Sequence, residues 1–69
     1  MNEESFNLSM RKFLKVVGVS SQNEIEKAAA KAIAGGMIKR DESLPARMTL
    51  EIARLKLNVK FEGEIILSD

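Results

Sequence analysis

The side chains that most often carry out chemistry in proteins are missing from this sequence. It contains no histidine and no cysteine, which removes the usual general base near neutral pH, thiolate chemistry and every disulfide. Serines such as Ser21 therefore have no imidazole to activate them. The acidic pairs Glu62 with Glu64 and Asp41 with Glu42 lack the further oxygen ligands that calcium or magnesium requires. We therefore predict a protein without enzymatic activity, cofactor or metal.

Nucleic-acid recognition is the second chemistry that the residue types allow. The stretch GVSSQNEI combines a glycine, a serine cap and the start of a helix, as a helix-turn-helix does. The acidic residues Glu24 and Glu26 offset the nearby lysines, and Leu14 stands where such motifs have a small residue. A plain helical corner explains the same pattern, so nucleic-acid binding through residues 13–33 is the alternative function. Its contact residues would be Arg11, Lys12, Lys15, Gln22, Asn23 and Lys27.

Two helices are predicted to position these side chains. The first covers about residues 2–17, with Asn2 as its N-cap and Gly18 as its stop, because glycine takes the left-handed conformation at little cost. Ser21 and Glu24 have the spacing of a capping box, which predicts a second helix over about 21–34. Each helix carries one apolar stripe at helical spacing, formed by Phe6, Met10, Phe13, Leu14 and Val17 and by Ile25, Ala28, Ala29, Ala32 and Ile33.

The C-terminal third alternates between apolar and polar residues, which is typical of strands with one buried face. The apolar residues fall at even positions up to Ile52 and at odd positions from Leu55. This change predicts a hairpin over about 47–67 with a two-residue turn at Ala53 and Arg54. That turn would pair Met48 with Val59 and would place Arg47 opposite Lys60, a mild defect. Ala-Arg is poor chemistry for so tight a turn. The same residues also allow a rival helix over 45–59.

The remaining residues connect these elements. Residues 35–46 are predicted to be a connector after the helix-ending glycines Gly35 and Gly36, and a short third strand at Met37 and Ile38 stays open. Gly63 falls at an inward position and suggests a bulge or a bend. The predicted fold is α+β, with two N-terminal helices packed on one face of a C-terminal antiparallel β-hairpin. With 69 residues, the chain is expected to form a single small domain, 1–69.

The charge and hydropathy of the chain restrict its partners and location. Eleven basic and ten acidic residues give a net charge of +1, and no long run of like charge forms a basic or acidic tail. No apolar segment is long enough to span a membrane, and the acidic N-terminus MNEESFNLSM lacks the apolar core of an export signal. We therefore expect a cytoplasmic protein that does not bind membranes.

The chain resembles a family of short bacterial proteins classed as a domain of unknown function. The resemblance rests on MNEESFNLSMRKFLKVVGVSSQNEIEKA, LPARMTLEI and FEGEI, and it covers nearly the full chain. It implies a single-domain protein, and it carries no activity and no functional residues with it.

Association is the function that these features favour. So small a domain, without disulfide or metal, often completes its core by binding another chain, and the open edges of a hairpin invite pairing. We predict a small self-association or protein-interaction module whose partner is a second copy or an unidentified protein. The residues of its self-association face would be Ala28, Ala29, Ala32 and Leu8, because alanines let a neighbouring helix approach closely.

Overall fold

The computed structural model describes residues 1–68 and contains one long helix followed by a hairpin. The helix, α1, runs from Glu3 to Ala34. The strands β1 (Ser43–Ile52) and β2 (Leu57–Ile66) form a two-stranded antiparallel sheet. The chain divides into two compact units, one ending at Met37 and the other beginning at Ile38. The α+β composition is confirmed, but the prediction of two helices is wrong.

The helix begins where the sequence predicts. Asn2 has an extended backbone, and its side-chain oxygen accepts a hydrogen bond of 3.0 Å from the backbone N–H of Ser5. Glu3 and Glu4 occupy the first turn, where the partial positive charge of the helix N-terminus favours carboxylates. The N-cap and the acidic first turn are both confirmed.

Gly18 does not end the helix, contrary to the prediction. Ser20, Ser21 and Glu24 likewise lie in the helix interior, so no capping box and no second N-terminus form there. One interior glycine costs a helix about 1 kcal/mol, whereas a break would leave four carbonyls and four amides without intrahelical partners. The neighbours of Gly18 are valines and serines, which are not strong helix formers, so the helix continues because a break would leave more backbone groups unsatisfied than one glycine costs.

Gly35 and Gly36 end the helix as predicted. Gly36 takes a left-handed conformation with φ of +72° and donates its N–H to the carbonyl of Ile33 over 3.1 Å. Met37 donates to the carbonyl of Ala32 over 2.9 Å. These two bonds are those of a Schellman cap, which satisfies the last carbonyls of a helix and requires a residue at ease with positive φ.

The hairpin is confirmed, but its register differs from the predicted one by two residues. Leu50 pairs with Val59, where the prediction paired Met48 with Val59. A shift of two preserves the face of every side chain, because side chains alternate with period two. Arg47 lies opposite Glu62 instead of Lys60, so the predicted charge defect becomes an opposite-charge pair.

A four-residue connection replaces the predicted two-residue turn. Ala53–Leu55 form a single 3-10 turn, and the N–H of Lys56 donates to the carbonyl of Ala53 over 3.0 Å. Lys56 takes a left-handed conformation with φ of 53°. Four-residue hairpin loops are built around such a turn, so the Ala-Arg sequence does not have to form a tight two-residue turn.

Three smaller expectations are corrected by the same geometry. Met37 and Ile38 form a bend rather than a third strand. Residues 45–59 belong to the hairpin, so the rival helix is wrong. Strand β1 begins at Ser43, four residues earlier than predicted, and Gly63 pairs with Ala46 in an unbroken register without a bulge.

Candidate functional site

The two predicted apolar stripes become one stripe on the continuous helix. Its members recur at an 11-residue repeat, which carries Phe6 to Val17 to Ala28 and Leu14 to Ile25. The repeat runs through Gly18 without a change of phase, so one side of the helix is apolar along almost its whole length. We call this surface the helix stripe, and its members are Phe6, Met10, Phe13, Leu14, Val17, Ser21, Ile25, Ala28, Ala29, Ala32 and Ile33.

Five large side chains of the helix stripe are exposed to solvent, whereas Val17 and Ile33 are half-buried. Exposed fractions range from 41% at Met10 to 55% at Phe13, with Phe6, Leu14 and Ile25 between these values. Among residues 1–68, no side chain of any kind is buried. Much of the apolar surface of the stripe is therefore in contact with solvent.

The predicted self-association residues separate into two groups. Ala28, Ala29 and Ala32 belong to the helix stripe and form its narrow C-terminal half. Leu8 lies on the opposite side of the helix at 100° per residue, and 60% of its surface is exposed. The local pattern predicts a helix face for Phe6, Met10, Phe13 and Leu14, but it does not place them in the self-association face. The unbroken phase across Gly18 was the pattern that could have revealed them.

The predicted helix-turn-helix corner is absent, because residues 13–33 lie within one helix. Gln22 and Asn23 therefore do not begin a recognition helix, and the Gln22 amide instead donates to the carboxylate of Glu26 over 2.9 Å. Arg11, Lys12 and Lys15 share one arc of about 100° on the exposed helix. Gln22 and Asn23 come 11 residues after Arg11 and Lys12 and therefore continue the same side of the helix, and Lys27 lies about 40° beyond Asn23. The six residues line one broad side of α1, without the helix-turn-helix that was predicted to present them.

The hairpin carries a second apolar face within its own unit. The pairs Leu50 with Val59 and Ile52 with Leu57 show its composition, and Phe61 is its most exposed large side chain, at 58%. At one level, Ala46 lies opposite Gly63, and a Cβ added at Gly63 would meet no atom within 4 Å. The pair therefore leaves a shallow notch in this face. The full set of residues on this apolar face of the hairpin is Leu44, Ala46, Met48, Leu50, Ile52, Leu57, Val59, Phe61, Gly63 and Ile65.

The opposite face of the hairpin is polar and linked across the strands. The hydroxyl of Ser43 donates to Glu64 Oε2 over 2.9 Å, and Arg47 lies opposite Glu62. Glu62 and Glu64 therefore belong to a row of cross-strand polar pairs on the solvent-facing side of the hairpin. Within residues 1–68, no three acidic side chains come close enough together to hold a metal ion.

The helix is long enough to cross a bilayer but not apolar enough. Nine of its 32 residues are charged, and no described helix combines the length and the hydropathy of a membrane span.

Comparisons with known proteins agree with the resemblance that the sequence suggested. A family described as one of unknown function matches residues 1–68. No curated protein and no solved structure matches the chain. The match spans both the helix and the hairpin, so it covers both apolar surfaces. The chain belongs to DUF6494, a family of unknown function.

Proposed function

We propose that this protein is a small non-enzymatic module that acts by self-association through the helix stripe. The observation that carries the proposal is the exposure of the stripe. Five large apolar side chains are roughly half exposed on one side of a single helix, and none of the described side chains is buried. Isolated helices are marginal in water, and most helical stability in proteins comes from packing of the apolar side. A second copy supplies such packing without any further component.

The extent of the stripe supports this function. From Phe6 to Ile33 the helix rises about 40 Å, and its width is about 10 Å. The footprint is then on the order of 400 Å², the size at which an exposed apolar patch marks an interaction site. The absence of histidine and cysteine supports the non-enzymatic part of the proposal, because it leaves few side chains suited to proton transfer or nucleophilic attack.

Sedimentation velocity tests the proposal with two matched variants. Leu14→Lys places a charge within the stripe, and Leu8→Lys makes the same change on the opposite side at a residue of similar exposure, 60% against 53%. We expect the native chain to associate over about 10 µM to 1 mM, and Leu14→Lys to raise the dissociation constant about tenfold or more. Leu8→Lys should change it little.

Two results would contradict self-association through the stripe. One is a native chain that stays monomeric and fully helical over the whole concentration range. The other is equal weakening by both variants, which would show that charge rather than the stripe controls association.

A further inference from the structure

We infer that the helix stripe pairs with the stripe of a second copy in an antiparallel arrangement. The two helices cross at the level of Val19 along the helix axis. This inference rests on the proposed self-association and specifies its partner surface and register. The observation behind it is the uneven distribution of side-chain size along α1.

The two halves of the stripe differ in size. The N-terminal half contains two phenylalanines, a methionine and a leucine, whereas the C-terminal half contains Ala28, Ala29 and Ala32 between Ile25 and Ile33. The distance between packed helix axes follows the size of the side chains between them, at about 8–10 Å. A parallel pair would place large residues against large ones at one end and alanine against alanine at the other. Its two helices would have to diverge.

An antiparallel pair places the largest residues of the N-terminal half against alanines toward both ends of the stripe. Residues that lie symmetrically about Val19, to within one position, then share a level. The levels are Phe6 with Ala32, Met10 with Ala28, Leu14 with Ile25, and Val17 with Ser21. Phe13 also falls at the level of Ile25, so this level near the middle has two large side chains, whereas the levels nearer the ends combine a larger with a smaller one. The helix axes are therefore more evenly separated than in a parallel pair.

The charges at the helix ends favour the same direction. Glu3 and Glu4 lie in the first turn and Lys31 in the last. An antiparallel pair brings the acidic end of each copy beside the basic end of the other, and it also opposes the two helix dipoles. A parallel pair would place both acidic ends together.

The dimensions of the stripe also favour another helix as the surface that covers it. A ten-residue strand extends about 33 Å, shorter than the stripe of about 40 Å, whereas a second α1 matches it in length. Two facing footprints of this size total on the order of 800 Å², below the roughly 1,200 Å² at which stable specific interfaces begin. The pair should therefore dissociate on dilution.

Disulfide trapping tests the register, because the native chain has no cysteine. Met10→Cys and Ala28→Cys are made as separate chains, mixed in equal amounts and mildly oxidised. The inference predicts that the mixture forms a disulfide-linked heterodimer about tenfold faster than either variant alone forms a homodimer. The reason is that paired thiols meet at millimolar effective concentration.

The matched control is a mixture of Leu8→Cys and Ala30→Cys. These positions are also symmetric about Val19, but they lie on the side of the helix away from the stripe. The control mixture should link only at the rate of random collision.

The outcomes separate this inference from the proposed function. Rapid Met10→Cys homodimers would show a parallel pair, and association without either cross-link would show that another surface, such as the hairpin face, covers the stripe. Both results overturn the register while leaving self-association intact. A chain that is monomeric by sedimentation would instead overturn both.

Discussion

At the scale of single residues, the role of each glycine depends on its backbone conformation and not on the sequence pattern around it. Gly18 and Gly36 both look like helix stops, yet only Gly36 takes a left-handed conformation, with φ of +72°. Gly18 is helical, and a Cβ added there would meet nothing within 4 Å. The same substitution should therefore have opposite effects at the two positions.

Replacing Gly18 with alanine should stabilise the helix, and replacing Gly36 with alanine should weaken it. Gly18→Ala removes the cost of an interior glycine, about 1 kcal/mol. Gly36→Ala forces an alanine into the left-handed region, at about 1–2 kcal/mol. Urea unfolding followed by helical circular dichroism, at the lowest usable protein concentration so that association does not contribute, measures both. Destabilisation by Gly18→Ala would support a helix that breaks at residue 18.

At the scale of elements, the hairpin shows how face and register are specified separately. Alternation of apolar and polar residues assigns each side chain to a face, and any even shift of register leaves that assignment unchanged. The loop and the cross-strand charges then choose among the even shifts. The four-residue loop brings Arg47 opposite Glu62 and Thr49 opposite Lys60, whereas the tighter turn would have brought two cations together.

A charge exchange tests this register. Glu62→Lys should destabilise the hairpin by about 0.2–1 kcal/mol, because it places like charges opposite each other. The double variant Arg47→Glu with Glu62→Lys should recover most of the loss. Chemical shifts and cross-strand contacts in NMR spectra report the hairpin population. Destabilisation without recovery in the double variant would be inconsistent with the pairing of Arg47 with Glu62.

At the scale of the whole molecule, the distinguishing property is apolar surface without a buried core. Apolar residues make up 45% of the sequence, as in ordinary globular proteins, yet none of the side chains in residues 1–68 is buried. Under the proposed self-association, a second copy would stabilise the chain by covering its apolar surface. Its folding and its association should therefore be linked.

Thermal unfolding should depend on protein concentration. Binding to a second copy stabilises the folded chain by mass action, so the Tm of the native protein should rise across about 10 µM to 1 mM. Leu14→Lys should have a lower Tm with a weaker concentration dependence, and Leu8→Lys should resemble the native chain. Circular dichroism at several protein concentrations makes the comparison. A native Tm that does not change with concentration would argue against linked folding and association.

Much of this structure could be predicted from local residue patterns. Asn2 and the two glutamates after it specify the helix start, Gly35 and Gly36 specify its end, and alternation assigns the faces of the hairpin. The alanines of the helix stripe were identified as an association surface, but its phenylalanines, methionine and leucine were assigned only to a helix face. The reason is that Gly18 followed by Ser21 has the residue pattern of one helix end and the next helix start. That pattern predicts two separate helices, each with half of the stripe.

The sequence by itself determined the lack of histidine and cysteine, the two ends of the helix and the face on which each strand side chain lies, because each depends on residue type and short spacing. The tertiary structure decided whether the helix continues through Gly18 and which even register the hairpin adopts. Both choices compare whole elements. For the helix, the free-energy cost of one interior glycine is compared with that of eight unsatisfied backbone groups. For the hairpin, the loop length and all the cross-strand pairs that it sets contribute together to the stability of a register.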